Sequence, residues 1–333
     1  MTTEVIVVTL IKAAIVIGAL LTGFAYLTLF ERKVQARLQQ RPGPNRVGPW
    51  GLLQPAADGL KLFFKSSSAP SSRDRFLYLL APMISICAAL GSFAIIPISG
   101  PGPNNLFGHS IGWYVMNVNI GILWYLAVTS VGVYGIFLAG YASNSKYSML
   151  GALRSSAQMI SYEMALGLSL VPVFILAGSV RLVDIVNAQR TWWFALPLLP
   201  AFIIYMIAGI AETNRAPFDL PEADTELVAG YHTEYSGMKF ALFFMAEYIN
   251  MVIVSSIATV MFLGGWWGPF GIVPGPWWFL LKVVVVLFVY VWLRATLPRL
   301  RYDRLMQLGW KSLLPLSLAM MMATAVVVVA VQR

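Results

Sequence analysis

Long apolar stretches alternate with short polar segments along the whole chain. A helix needs roughly 20 apolar residues to cross a bilayer, because each residue adds about 1.5 Å along its axis. Eight stretches meet this requirement, so the pattern predicts an all-α, polytopic membrane protein with about eight transmembrane helices in a single domain, residues 1–333. The predicted spans are 5–31, 76–98, 117–140, 157–178, 192–212, 238–264, 277–297 and 312–331.

The composition also favours a membrane protein. The chain is 59% hydrophobic and only 11% charged, whereas soluble domains carry about 25% charged residues. The bilayer therefore has to replace much of the water around the chain. The formal net charge is +9, but the basic residues flank apolar stretches, as topology signals do. The chain lacks the basic stripe and the zinc-ligand spacing that would favour nucleic-acid binding.

The residues needed for a redox, nucleotide or metal site are missing from the sequence. The single cysteine, Cys87, lies in an apolar stretch, where we expect a small buried side chain. His109 and His232 lie in different inter-helix segments, which argues against an iron–sulfur cluster or a bis-histidine haem. No Walker loop or dinucleotide fingerprint is present. The sequence therefore predicts a protein without a redox centre of its own.

Charge asymmetry between the loops predicts the orientation of the chain. The segments after spans one, three, five and seven carry 17 Lys and Arg residues, whereas the opposite loops carry only Arg181 and Arg190. By the positive-inside rule, the first group faces the cytoplasm and both termini lie on the outer side. Lys12 and Lys282 fall near the outer ends of their spans, and we expect them to extend to the lipid headgroups.

The first cytoplasmic segment combines a stiff loop with an amphipathic helix. Residues 41–49 contain three prolines and two glycines, which predicts an irregular loop of defined shape. Apolar residues recur at helical spacing over 51–66, with Asp58, Lys61 and Lys65 on the opposite face. This pattern predicts a helix on the membrane surface, or alternatively a helix packed on a soluble partner. We expect the loop arginines to contact a ligand or a partner.

Three carboxylates lie within or at the ends of apolar stretches, near the predicted cytoplasmic ends of three spans. Glu163 lies about two turns into span four, Glu212 ends span five, and Glu247 lies just over two turns into span six. An ionisable group is costly in a bilayer and usually marks a cavity or a partner. One interpretation is a shared proton site, and the other is a set of structural hydrogen bonds between helices.

An acidic segment follows span five on the same face. Its acids are Glu212, Asp219, Glu222, Asp224, Glu226 and Glu234. Three interpretations are open: a solvated loop, proton exchange with the embedded glutamates, or a docking surface for a basic partner. The spacing of a calcium-binding EF-hand loop is absent, so a calcium site is not expected.

Four segments resemble one family over long matches. They are ERKVQARLQQRPGPNRVGP (31–49), QPAADGLKL (54–62), SNSKYSMLGALRSSAQMISYE (143–163) and AETNRAPFDLPEADTELVAGYHTEYSG (211–237). These segments are similar to the family of H-type membrane subunits of respiratory complex I, the NADH:quinone oxidoreductase. The resemblance implies a membrane subunit of this translocase that anchors the peripheral arm and forms the membrane end of the quinone chamber. It also implies that quinone reduction is linked here to proton translocation.

The resemblance implies roles for particular residues. Those expected in proton linkage are Glu163, Glu212, Asp219, Glu222, Asp224, Glu226, Glu234 and Glu247. Those expected to shape the quinone chamber or to face peripheral subunits are Arg32, Arg37, Arg41, Arg46, Arg215 and Phe218. The quinone is expected to arrive laterally, near span one, the amphipathic helix and span six.

The family also implies partners and a location. This chain binds no cofactor of its own, quinone is the substrate, and iron–sulfur clusters and FMN belong to partner subunits. The partners are peripheral-arm iron–sulfur and quinone-site subunits, small membrane subunits, antiporter-like subunits and lipid, in a bacterial cytoplasmic membrane. The alternatives are an ion-coupled transporter, a structural anchor, and the related subunit of a membrane-bound hydrogenase or a ferredoxin-driven relative. A transporter would place its acids nearer the midplane on repeated elements, and an anchor would not need Glu163 and Glu247 inside spans.

Overall fold

Helices account for nearly all the regular structure of the chain. The computed structural model describes residues 3–100, 105–106, 109–110, 112–219, 228–269 and 274–332. The helices are α1 (Thr3–Leu38), α2 (Gln54–Phe64), α3 (Arg75–Phe93), α4 (Gly121–Ala142), α5 (Lys146–Ala177), α6 (Leu182–Ala188), α7 (Leu199–Glu212), α8 (Met238–Phe262), α9 (Pro276–Thr296), α10 (Tyr302–Gln307) and α11 (Leu314–Gln332). A π-helical segment, Leu308–Leu313, joins α10 to α11, and the strands β1 (Asn105–Leu106) and β2 (His109–Ser110) form one short antiparallel pair. The predicted all-α membrane fold is confirmed.

Several helix ends follow from local sequence signals. Asp74 caps the start of α3, because its side chain accepts hydrogen bonds from the backbone N–H groups of Phe76 and Leu77. Gly178 ends α5 in the left-handed conformation, with φ of 64°, which glycine adopts without steric cost. Pro200 lies in the first turn of α7, where its missing N–H donor costs nothing.

Seven helices in the described part of the chain are long and apolar enough to cross a membrane. The predicted span 192–212 is shorter in the structure, because α7 has only 14 residues, or about 21 Å at the usual rise. The two ends of α7 nevertheless lie beside opposite halves of α8. The N–H of Ala195, just before α7, donates to the carbonyl of Phe262 at the end of α8 (2.8 Å). Glu212, at the other end of α7, shares a cavity with Glu247, nine residues after the start of α8.

The core of the bundle surrounds α8. This helix is buried over most of its length and contacts α1, α3, α7 and α9. By contrast, α1 and α11 bury little of their apolar surface within the chain. Their outward faces are therefore available to lipid or to neighbouring membrane proteins.

Glycine allows α5 to pack closely against the loop that contains Gly230. A Cβ atom on Gly151 of α5 would lie 2.7 Å from the backbone of Gly230. Ser148, one turn earlier, donates a hydrogen bond to the carbonyl of Tyr231 (2.9 Å). The segment that follows the acidic residues is thus fixed directly against α5.

Two sequence predictions about single residues are wrong. Cys87 is exposed, because it lies on the face of α3 that points away from the other helices. Lys282 does not extend to the headgroups, since it is only 5% exposed. Its ammonium donates to the carbonyls of Leu263 (2.6 Å), Gly265 (3.1 Å) and Trp267 (2.6 Å), which satisfy the charge inside the protein.

Lys12 also has partners within the chain. Its ammonium donates to the carbonyl of Gly112 (3.1 Å) and lies over the ring of Tyr114. The side chain therefore joins α1 to the loop before α4.

Candidate functional site

One buried carboxylate near the C-terminal end of α1 receives contacts from three other elements. Glu31 is 3% exposed. Its Oε2 accepts a hydrogen bond from the hydroxyl of Tyr248 on α8 (2.6 Å). Its Oε1 accepts one from Arg294 on α9 and lies 3.6 Å from Nη1 of Arg215 in the loop after α7. Glu31 therefore joins α1 to the centre of the bundle.

Arg215 connects this carboxylate to a second one. Its Nε lies 2.5 Å from Oε1 of Glu247, and its guanidinium lies 4.2 Å from the centre of the Tyr248 ring. Burial lowers the pKa of Arg215, but Glu247, Tyr248 and Glu31 together raise it above its ordinary value, so the side chain remains a cation. Two arginines thus balance two carboxylates in what we call the ionic cluster, which consists of Glu31, Arg215, Glu247, Tyr248 and Arg294.

A small cavity extends from the ionic cluster to Glu212. It has a volume of about 30 Å³, and its lining includes Glu247, Asn250, Asn214 and Glu212. A second cavity of about 10 Å³ adjoins Glu212 on another side. A buried water needs roughly 10–15 Å³ and several polar partners, so the first cavity has room and partners for water. The Oε2 atom of Glu212 is buried and makes no hydrogen bond within the described part of the chain.

Glu163 continues this arrangement toward α4. Its Oε1 is placed to accept a hydrogen bond from the hydroxyl of Ser130, which also lies 2.8 Å from the carbonyl of Leu126. A hydroxyl has one proton, so Ser130 donates to one of these acceptors at a time. Ser130 lies near the middle of α4, and Glu163 is within electrostatic range of Glu212. Glu163 therefore lies deeper along the bundle than the ends of the helices.

These residues form a series of neighbouring polar side chains, which we call the polar path. Ion pairs and the cavity connect Glu31 through Arg215 and Glu247 to Glu212, and Glu163 lies within electrostatic range of Glu212. The residues come from α1, the loop after α7, α8, α7 and α5, so the path crosses most of the bundle. Such an arrangement can shift charge by short hydrogen-bond rearrangements without moving a helix.

The expected arginines do not form a single group. Arg32 pairs with Asp58 of α2 (2.7 Å), which ties the amphipathic helix to α1. Arg37 and Arg41 line an open groove of about 820 Å³ beside the exposed Trp50. The exposed Arg46 lies outside that groove. Among the five arginines, Arg215 is the one that joins the ionic cluster.

The predicted amphipathic helix is confirmed as α2, a separate short helix. Its large apolar side chains, including Leu60, Phe63 and Phe64, are exposed on one side. The residues 39–48 before it contain no helix or strand, as the prolines and glycines predict. The residues that line the groove directly precede α2 in the chain, and α2 contacts α1.

Phe218 is packed in the core, and its backbone N–H donates to the carbonyl of Arg215 (2.8 Å). Its ring lies 6.0 Å from that of Tyr162, and its carbonyl accepts a hydrogen bond from Gln158 (2.9 Å). The same amide of Gln158 donates to the carbonyl of Ala211 (2.8 Å). Gln158 thereby fixes the turn that places Glu212 and Arg215.

The acidic segment is described only in part. Glu222, Asp224 and Glu226 lie outside the described residues. Asp219 is partly buried at the edge of the described segment. The carbonyl of Glu234 accepts a hydrogen bond from the hydroxyl of Tyr78 (2.7 Å), so this acid lies beside α3 and does not line the cavity between Glu212 and Glu247.

Three members of the ionic cluster are absent from the expected site residues. Glu31 ends an apolar stretch in the same way as Glu212, and this signal could have identified it. Arg294 stands out in the sequence only as one of the basic residues that set topology. Tyr248 carries no signal in the sequence, because a tyrosine within an apolar span is ordinary. The residues of the described ranges contain no group of three or more His, Cys, Asp and Glu side chains that could hold a metal ion.

Comparison with known proteins places the chain in a family. The family model described as NADH dehydrogenase matches residues 11–325. The H-type subunit of the NADH-quinone oxidoreductase of Rhodospirillum centenum is 52% identical over 315 residues, which cover 93% of this chain and 90% of the relative. The protein of the same name from Paramagnetospirillum magneticum is 51% identical over 98% of this chain and 93% of its own length. NADH-ubiquinone oxidoreductase chain 1 of Chondrus crispus is 52% identical, with 93% of both chains covered. The chain therefore belongs to the NADH dehydrogenase family and is a multi-pass membrane protein of the H-subunit type.

Proposed function

We propose that this protein forms the membrane end of the quinone chamber in a proton-pumping NADH:quinone oxidoreductase and links quinone reduction to proton translocation. The names of relatives about half identical over nearly the full chain support a place in this enzyme. The observation that carries the linking role is the polar path between Glu31 and Glu163. A purely structural anchor would not need such a path through the interior of its bundle.

Reduction of a quinone to a quinol takes up two electrons and two protons, so a group near the chamber that donates one of these protons becomes more negative in each turnover. Arg215 contacts both Glu31 and Glu247. A new charge near Glu31 therefore changes how strongly Arg215 holds Glu247, because charge interactions are strong where water is excluded. The proton affinity of Glu247 changes in turn, and this is the step at which chemistry in the chamber acts on the path.

Glu247 faces Glu212 across a cavity with room for water. A proton can move between two carboxylates through one hydrogen-bonded water without a large displacement of either side chain. Glu163 and Ser130 continue the path toward the middle of α4. Asp219, Glu222, Asp224, Glu226 and Glu234 are proposed to connect the path with the cytoplasmic side.

The first cytoplasmic segment is proposed to receive the quinone. The exposed apolar side of α2 suits lateral arrival of an apolar quinone tail from the bilayer. Arg37 and Arg41 in the adjacent groove, with Arg32 and Arg46 nearby, suit contact with the quinone head or with peripheral subunits. Phe218 acts indirectly in this proposal, through the turn that carries Arg215.

The chain supplies no electrons in this proposal. Iron–sulfur clusters and FMN in peripheral-arm subunits supply them, while small and antiporter-like membrane subunits carry the protons further. The complex would lie in a bacterial cytoplasmic membrane, and both termini of this chain would face the outer side. The excess of basic residues in the opposite segments supports that orientation.

Conservative substitution of the embedded acids tests the proposal. Glu247→Gln and Glu163→Gln remove a titratable proton but keep the shape of the side chain. Each is expected to lower NADH:quinone turnover of the assembled complex, by on the order of the 100-fold effect of losing a positioned proton-transfer group. The measurement is turnover in membranes after quantifying the assembled complex.

Two controls make the result specific. NADH oxidation by a soluble electron acceptor that bypasses quinone should be unchanged in both variants. Asp303→Asn alters an exposed acid in a surface pair with Arg301 and should keep parental turnover. Parental quinone turnover in both the Glu247 and Glu163 variants would contradict the proposed linkage.

A further inference from the structure

Asn250 lies on both cavities beside Glu212, and the proposed proton path does not use it. The larger cavity, of about 30 Å³, separates Glu212 from Glu247, and the smaller one, of about 10 Å³, also adjoins Glu212. Four residues line both cavities, namely Met159, Glu212, Thr213 and Asn250. Asn250 is the one that α8 contributes, so it marks the boundary between the two cavities on this helix.

The same face of α8 carries Glu247 and Asn250. The two residues are three apart, which makes their side chains neighbours on a helix, with Cβ atoms about 5–6 Å apart. One turn further, Ile253 and Val254 line the smaller cavity and not the larger one. Asn250 is therefore the polar side chain of α8 that follows Glu247 along the cavities, and it shares both cavities with Glu212 at the end of α7.

The amide of Asn250 is free to bind a water in the larger cavity. Its side chain makes no hydrogen bond to another described residue. Asn250 is partly exposed, whereas its neighbours Ile249 and Met251 on α8 are buried. An amide carries two N–H donors and a carbonyl acceptor, and enclosing them without partners is costly. A water in the cavity removes that cost, so the position of Asn250 itself indicates water.

The other polar side chains of the larger cavity already have partners or only accept. Those with donors in hydrogen bonds or other contacts are Ser85, Thr213, Asn214 and Tyr231. The amide of Asn214, for example, donates to the hydroxyl of Ser155 (3.2 Å). Ionised carboxylates such as those of Glu212 and Glu247 accept hydrogen bonds and donate none. A water between these two acids therefore finds its donor in Asn250.

We propose that Asn250 is a positioning residue that donates a hydrogen bond to the water between Glu212 and Glu247. When Glu212 is protonated, this water accepts from Glu212 and from Asn250 and donates to Glu247. The proton of Glu212 then passes to the water oxygen while the water proton facing Glu247 passes to that carboxylate, so the water keeps two protons. Asn250 does not titrate, and its hydrogen bond is the same before and after the transfer. This inference rests on the proposed proton linkage through Glu212 and Glu247.

The test measures NADH:quinone turnover of the assembled complex in H₂O and in D₂O. Asn250→Leu removes both donors but keeps a side chain of similar size. Turnover should fall by about tenfold, as the loss of one hydrogen bond at a reaction step implies. The solvent deuterium isotope effect should rise, because proton transfer through a poorly held water becomes slower relative to the other steps. Asn250→Val decides the question in the same way if Asn250→Leu does not assemble.

Asn187→Leu is the matched control, because it makes the same substitution at an exposed position of α6 that lines neither cavity. It should leave turnover and the isotope effect at their parental values. Parental values in Asn250→Leu would overturn the inference. So would a lower turnover with an unchanged isotope effect, since Asn250 would then support the fold and not the water.

Glu247→Gln separates this inference from the proposed function. Impaired turnover in Glu247→Gln together with parental values in Asn250→Leu would overturn the role of Asn250 and leave the linkage standing. Parental turnover in Glu247→Gln together with a larger isotope effect in Asn250→Leu would contradict the linkage through Glu247, while showing that Asn250 acts on a proton-transfer step.

Discussion

Glu31 is the residue on which the ionic cluster depends most. Its carboxylate accepts a hydrogen bond from Tyr248 and contacts both Arg215 and Arg294. Removing one partner of a buried ion pair is strongly destabilising, because the charge left behind is neither hydrated nor paired. Glu31 therefore has a structural role as well as its place at the start of the polar path.

Glu31→Gln should destabilise the protein by about 3 kcal/mol, the low end of the cost of breaking a buried pair. The measurement is the thermal unfolding midpoint of the complex in detergent. Asp58→Asn is the matched control, since it breaks the partly exposed pair with Arg32 and should cost less than about 1 kcal/mol. Equal midpoints for the two variants would show that the contacts of Glu31 do not stabilise the protein.

Sequence alone could identify embedded acids but not their partners. Glu163, Glu212 and Glu247 stand out because a charge in an apolar stretch is rare. The contact between Arg215 and Glu247 depends on how the turn after α7 packs against α8, and no sequence spacing encodes that. The distance of Lys282 from the helix end would let it reach the headgroups. Three carbonyls at the end of α8 hold it inside instead.

At the scale of elements, hydrophobic length predicted most helices but not α7. The stretch is apolar from Trp192 to Ala211, yet the helix begins only at Leu199. Pro197 and Pro200 explain the late start, since proline cannot donate the backbone hydrogen bonds of a helix interior. Hydrophobic length also underestimated α5, which begins 11 residues before its predicted start at residue 157. The additional residues, from Lys146 onward, pack on the loop that follows the acidic segment.

The close contact between α5 and that loop gives an element-scale prediction. Gly151→Ala should lower stability by about 1–3 kcal/mol, as overpacking does, because its Cβ atom would meet the backbone of Gly230 at 2.7 Å. Gly23→Ala on α1 is the matched control, since nothing lies within 4 Å of its Cβ position. The thermal unfolding midpoint of the Gly23→Ala variant should be unchanged or slightly higher. A similar loss of stability in both variants would mean that the tight contact is not its cause.

The exposed side of α2 gives a second element-scale prediction. Phe63→Ser/Phe64→Ser should raise the KM for a long-tailed quinone, because the apolar surface proposed to receive the tail is lost. A quinone with a very short tail should be affected much less. Lys61→Ser is the control on the polar side of the helix, where the side chain is exposed. The portal assignment fails if the KM values for both quinones stay at their parental levels.

At the scale of the whole molecule, the arrangement separates a packed centre from an apolar exterior. The central helix α8 carries Glu247 and Tyr248 and supplies one wall of the cavity beside Glu212. The outer helices α1 and α11 expose most of their apolar residues. The polar path thus lies in the buried interior of the bundle, while the exterior suits lipid and other membrane subunits. The hydrophobic pattern and the composition of the sequence predicted this exterior. They could not predict the polar path, because the path depends on how five elements pack together.

Proton translocation by reconstituted complex that carries Glu212→Gln tests the central claim most directly. Glu212 lies where the path passes from the ionic cluster and its cavity toward Glu163. In proteoliposomes, NADH-driven proton translocation and quinone reduction are both predicted to fall by on the order of 100-fold, the effect of losing a positioned proton-transfer group. Parental rates of both processes in a fully assembled variant would contradict the account.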